Sequence, residues 1–162
     1  VVWTAAIDDR AKCVVSVVGV GNGARWMRSV RRPDEWVDLL DRSAQDRVTR
    51  ATTGQSEQAG RSEILLPDRQ SAELAAAARQ DNPNAEWVVD RISPRPVLFI
   101  TGDDDRLVPP EESEAMFARA GAPKKLVMLE GYGHYEVYAE PAFSEVMVAT
   151  MDWYREYLPA TL

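Results

Sequence analysis

The chain contains a single histidine, His134, in the run Gly131-Tyr132-Gly133-His134. It follows directly on the apolar run Leu126-Val127-Met128-Leu129. A second apolar run, Val97-Leu98-Phe99-Ile100, leads into Thr101-Gly102-Asp103-Asp104-Asp105. Each run reads as a strand that hands ionisable residues to the loop at its carboxyl end. A carboxylate that accepts from one imidazole nitrogen fixes the tautomer and stabilises the imidazolium when it forms. The other nitrogen is then free to take a proton from a nucleophile. Asp105 and His134 are therefore the candidate acid and base. Asp103 and Asp104 read as solvated turn residues or helpers, and Tyr132, Tyr135 and Tyr138 as packing around the base loop. Asp103-x-Asp105 at a strand end could instead hold magnesium for phosphoryl transfer. It lacks a Thr/Val-type continuation and a convincing downstream lysine. With one histidine and one cysteine, a zinc site built on several such ligands is excluded.

These residues need a scaffold that brings the two loops together. Continuous apolar strands imply a parallel sheet covered on both faces. A helix over 110–120, closed by Gly121 with Pro123 beyond, joins the two strands. They are then neighbours or near neighbours, and both loops lie on the carboxyl edge of the sheet, where functional groups gather in open parallel sheets. The spacing Gly102-x-x-Asp105-x-x-Val108-Pro109 allows a sharp turn, and the glycines beside His134 let its loop bend over the sheet edge. The last helix begins near Pro141. Its stripe Phe143, Met147, Met151, Tyr154, Leu158 is expected to face the sheet.

Upstream, residues 1–9 read as the tail of a helix and 12–18 as a buried strand, followed by a loop at Gly19-Val20-Gly21-Asn22-Gly23. That loop has the outline of a nucleophile turn, but glycine stands where a side chain would act. Its glycine spacing does not match a dinucleotide-binding loop either. Pro33-Asp34-Glu35 starts a helix over 33–50. Residues 51–63 are polar and loop-like. Residues 67–80 are rich in helix formers, and a short helix covers Ala85–Asp90. The expected fold class is α/β: a parallel sheet with flanking helices and a helical insertion. Residues 1–23 and 93–162 form the core, and 24–92 form a cap or lid.

Residues 94–158 resemble the C-terminal part of α/β-hydrolases. Pro96-Val-Leu-Phe-Ile-Thr-Gly-Asp-Asp-Asp-Arg-Leu-Val-Pro109 is similar to the acid strand and turn of that superfamily. Pro123-Lys-Lys-Leu-Val-Met-Leu-Glu-Gly-Tyr-Gly-His134-Tyr is similar to its base strand and loop. The resemblance is nearest to acyl hydrolases related to cocaine esterase and X-Pro dipeptidyl peptidase. Ala5-Ala-Ile-Asp-Asp-Arg-Ala-Lys-Cys-Val-Val-Ser-Val-Val18 more weakly resembles the nucleophile helix running into the next strand. The resemblance implies a partial α/β-hydrolase fold. It also implies a serine hydrolase of ester or amide bonds, in which Asp105 and His134 are the acid and base of a Ser-Asp-His triad. A small-molecule acyl substrate and no metal or organic cofactor are implied.

The chain departs from the family in one respect. Gly-x-Ser-x-Gly, the nucleophile turn, does not occur in it. If 1–9 is the nucleophile helix, that serine falls about five residues before Val1. The expectation is a C-terminal piece, inactive alone, that self-associates or pairs with a chain supplying the N-terminal half. The alternative is an inactive hydrolase-like remnant serving binding or assembly, with an exposed strand edge and apolar face.

Composition narrows the remaining classes. The 162 residues are 45% hydrophobic and 28% charged, enough for one packed core. The net charge of −7 argues against nucleic-acid or anionic-membrane partners. Arg25, Arg28, Arg31 and Arg32 read as a solvated face. No apolar run approaches the roughly 20 residues of a membrane span, and the first residues do not read as a signal peptide. The lone Cys13 permits no internal disulfide, fits a reducing, cytoplasmic compartment, and reads as a buried inert thiol. Trp26, Trp36 and Trp87 read as packing residues more readily than as an acyl pocket.

Overall fold

The computed structural model describes residues 1–57 and 84–158. The chain divides into two compact units, Val1–Gly23 with Pro83–Leu162, and Ala24–Asn82. The first unit is built on three parallel strands: β1 (Val14–Val17), β2 (Val97–Gly102) and β3 (Lys124–Leu129), in the order β1-β2-β3. Val14 pairs with Val97, Ile100 with Val127 and Gly102 with Leu129. The expected α/β class with flanking helices is what the chain adopts.

Alternation along the strands creates two apolar layers. Val14, Val97 and Phe99 point to one face. There they pack with Val2 and Ala5 of α1 (Val2–Ile7), Val89, Ile92, and Met116 of α4 (Glu111–Arg119). Leu98, Ile100 and Leu129 point to the other face, against Val137 and against Val146 and Trp153 of α5 (Ala142–Tyr157). All six residues of β2 are buried, as a central strand covered on both sides requires. Phe99, Leu98 and Ile100 each contribute about 1.5–3 kcal/mol by leaving water.

Residues 85–92 form two short 3₁₀ turns, Ala85–Trp87 and Val89–Ile92. Their apolar side chains Val88, Val89 and Ile92 are buried, and this pulls them into the sheet unit. The change between units thus falls at 83, not at 93 as the sequence pattern suggested. Trp87 remains exposed.

The expected packing stripe of the last helix is corrected. Phe143, Met147 and Met151 of α5 and Leu158 just beyond it are exposed, and Tyr154 is half-buried; the helix buries Ala142, Val146 and Trp153 instead, with Ala149 and Tyr157 partly covered. Both stripes satisfy the helical period. The inner one combines small alanines, which permit close approach to the sheet, with Trp153, whose ring lies 4.4 Å from that of Tyr157.

In the second unit, α2 (Gly23–Ser29) is followed by α3 (Pro33–Thr53). Pro33 opens α3, the Glu35 carboxylate accepts the Arg32 N–H at 3.0 Å, and Gly54 closes it with φ of 73°. The helix therefore runs to Thr53, into the stretch expected to be loop. None of its residues is buried. The helix expected over 67–80 lies outside the described residues.

Candidate active site

Asp105 and His134 meet. Nδ1 of His134 lies 2.8 Å from Oδ2 of Asp105. An ionised carboxylate has only acceptor sites, so opposite it a neutral imidazole carries its proton on Nδ1 and has Nε2 as its acceptor. The parallel pairing of β2 and β3 brings both loops off one rim.

The Asp105 side chain is fully buried, and its position is set from several directions. Its other oxygen, Oδ1, accepts the Leu107 N–H at 2.9 Å and the Val108 N–H at 2.8 Å. This is a turn built by the aspartate on its own following backbone. Three donors thus surround a carboxylate that could not stay buried unpaired. The His134 ring is 18% exposed, so one part of it reaches the surface. Among the described residues nothing hydrogen-bonds to its Nε2. Tyr135 and Tyr138 stand edge-on to the ring, at 5.1 and 6.5 Å between centroids. Desolvation, and then the nearby Asp105 charge, push the Tyr138 phenol above its ordinary value. The tyrosines at 135 and 138 therefore flank the imidazole, and both remain largely exposed.

The acid and base loops are stitched to each other. The ladder continues past β2 through Asp103 N–H to Leu129 O at 3.1 Å, and Asp104 N–H donates to Tyr132 O at 3.2 Å. The Asp103 carboxylate accepts the Gly131 N–H at 2.6 Å. Where the loops cross, a Cβ on Gly102 would sit 2.0 Å from the Tyr132 carbonyl oxygen, so only glycine fits. Within the base loop, Glu136 accepts the Gly133 N–H at 2.5 Å.

The magnesium alternative loses its donor set. Asp103 is turned to Gly131, and Asp105 to His134 and its own turn. Among the described residues no group of three His, Cys, Asp or Glu side chains is arranged to hold a metal.

Two further residues do structural work near this rim that spacing did not reveal. Glu112 of α4 is buried and accepts the Gly21 and Asn22 N–H groups at 2.9 and 2.7 Å. Asn84 accepts the Gly23 N–H at 2.9 Å. The glycine-rich run after β1 is therefore an ordered loop pinned by a carboxylate. Cys13 is half-buried against the α5 layer, and burial pushes its thiol up.

No protein-family model matches the chain. The solved structure of the α/β-hydrolase GrgF from Penicillium sp. sh18 is similar to it over 96% of this chain, with a TM-score of 0.62 at 20% identity. This is the α/β-hydrolase fold. The esterase domain of a Rhodothermus marinus protein shares it, over 96% of this chain with a TM-score of 0.64 at 19% identity. The chain spans 59% and 54% of the lengths of those two structures. Among curated proteins, the uncharacterized protein YfhR of Escherichia coli O157:H7 is 27% identical over 100 residues, which are 56% of this chain and 35% of YfhR. No helix among the described residues is long and apolar enough to cross a membrane.

Proposed function

We propose that this chain supplies the acid and base of a serine acyl hydrolase, with Asp105 orienting His134. The observation that carries the reading is the 2.8 Å contact between Asp105 Oδ2 and His134 Nδ1 at one rim of a parallel sheet. The chemistry follows from the tautomer. A serine hydroxyl attacks the acyl carbon of an ester or amide, and its proton passes to Nε2. The imidazolium, stabilised by Asp105, returns that proton to the leaving oxygen or nitrogen as the tetrahedral adduct collapses. Water, deprotonated by Nε2 in turn, releases the acid and restores the serine. The serine is contributed by sequence outside these residues, because Gly-x-Ser-x-Gly does not occur in them. The insertion between β1 and β2 is read as the cap of such an enzyme, and its substrate as a small acyl compound. A reducing, cytoplasmic setting fits the lone Cys13.

The test is labelling by a fluorophosphonate probe. The 162-residue chain alone is expected to stay unlabelled and to turn over no activated ester. Joined to an upstream segment bearing Gly-x-Ser-x-Gly, it is expected to label at that serine. His134→Gln is then expected to lower turnover on the order of 10⁴-fold or more. Labelling of the chain alone would contradict the placement of the nucleophile.

A second reading, assembly without catalysis, is favoured by the exposed stripe Phe143, Met147 and Met151 on α5 with Leu158 at its end, and by apolar β1 at the sheet edge. Self-association or pairing with a second chain is expected under either reading. Sedimentation of a strictly monomeric chain at high concentration would count against self-association.

A further inference from the structure

We infer that Asp103 is a positioning residue for the base: its carboxylate holds the His134 loop in the place where the imidazole meets Asp105. The inference rests on the acid–base reading of Asp105 and His134. Three contacts cross between the two loops ahead of that pair. Two are backbone bonds, Asp103 N–H to Leu129 O and Asp104 N–H to Tyr132 O, which any residue but proline could make at 103 and 104. The third, Gly131 N–H to Asp103 Oδ1 at 2.6 Å, depends on a side chain.

Gly131 is where the base loop leaves β3, and it takes φ of 79°, a left-handed turn that aims the following chain back over the rim. The Gly131 N–H would otherwise lack a partner in the loop, and a carboxylate is a strong acceptor for it. From Gly131 to His134 only Tyr132 and Gly133 intervene. A shift at Gly131 therefore passes directly into the imidazole. The neighbouring Asp104 differs: its carboxylate accepts from Arg106 Nε at 3.2 Å. Asp103 thus acts on His134 through the backbone and touches neither the ring nor any reacting atom.

The single histidine makes the test direct, since one imidazole accounts for every histidine ring signal. In the intact 162-residue chain, labelled with nitrogen-15, the Nδ1 proton held by Asp105 is expected as a low-field resonance, and the Gly131 amide as slow to exchange. Asp103→Ala is expected to speed Gly131 exchange at least tenfold and to broaden or abolish the low-field proton. Asp103→Asn, which keeps an acceptor oxygen, is expected to restore both, and Asp104→Ala to leave both unchanged. If Asp103→Ala does not fold, Asp103→Ser, too short to reach Gly131, takes its place with the same expectation. A low-field proton unaltered by loss of the Asp103 carboxylate overturns the positioning role and leaves the Asp105–His134 pair standing. An equal effect of Asp104→Ala also overturns it. If the unsubstituted chain shows no such proton, the acid–base reading itself fails, and the positioning role with it.

Discussion

The two loops that build the site are held in opposite ways. The acid loop is fixed from within: the Asp105 side chain is buried, and it ties down its own turn through Leu107 and Val108. The base loop is fixed from outside. His134 is partly exposed, and its loop is held across the gap by the Asp103 carboxylate and the Asp104 N–H, with the Glu136–Gly133 contact added within the loop. One side of the pair is therefore a rigid reference and the other is positioned against it. Such a division suits the role proposed for His134, a base that accepts and releases protons at the surface while its partner carboxylate stays put.

The sharpest way to break this arrangement is at the crossing of the loops. Gly102→Ala forces a methyl against the Tyr132 carbonyl, and both sides are backbone. A loss of about 3 kcal/mol or more is expected in denaturant unfolding. Next comes the acid loop. Asp105→Ala strands two backbone N–H groups beside the sheet, for an expected loss of about 2–4 kcal/mol. On the base side the effects are smaller. His134→Gln is expected to cost about 1 kcal/mol, because Asp105 Oδ1 keeps both of its donors. Its effect on catalysis in a serine-bearing protein is expected to be far larger than its effect on stability. Glu136→Ala, which frees one N–H in an exposed loop, is expected to cost under about 1 kcal/mol. A His134 or Glu136 substitution as damaging as Asp105→Ala would erase the contrast between the loops.

The same contrast explains what could be read in the amino-acid sequence. The strands were legible because continuous apolar runs such as Val97–Ile100 have few other homes. The meeting of Asp105 and His134 was legible because a crossover helix between parallel strands puts both loops on one rim. The roles of Asp103 and Glu112 were not. Each depends on which backbone N–H lies nearest across a loop, and no residue pattern encodes that distance. The α5 face was misread because two apolar stripes share one helix, and hydrophobic periodicity ranks Met147 and Met151 above Ala142 and Ala149. Packing ranks them the other way, since a small residue admits the sheet. The end of the insertion was misplaced because residues 85–92 look helical and polar in part, yet Val88, Val89 and Ile92 are core residues.

The most direct test of the account is the tautomer of the lone imidazole, read from the nitrogen-15 shifts of its two ring nitrogens in the neutral form. In the unsubstituted chain the proton is expected on Nδ1, with Nε2 bare. In Asp105→Asn, where an amide can donate to Nδ1, it is expected to move to Nε2. A proton on Nε2 in both proteins would contradict the claim that Asp105 prepares His134 to act as a base.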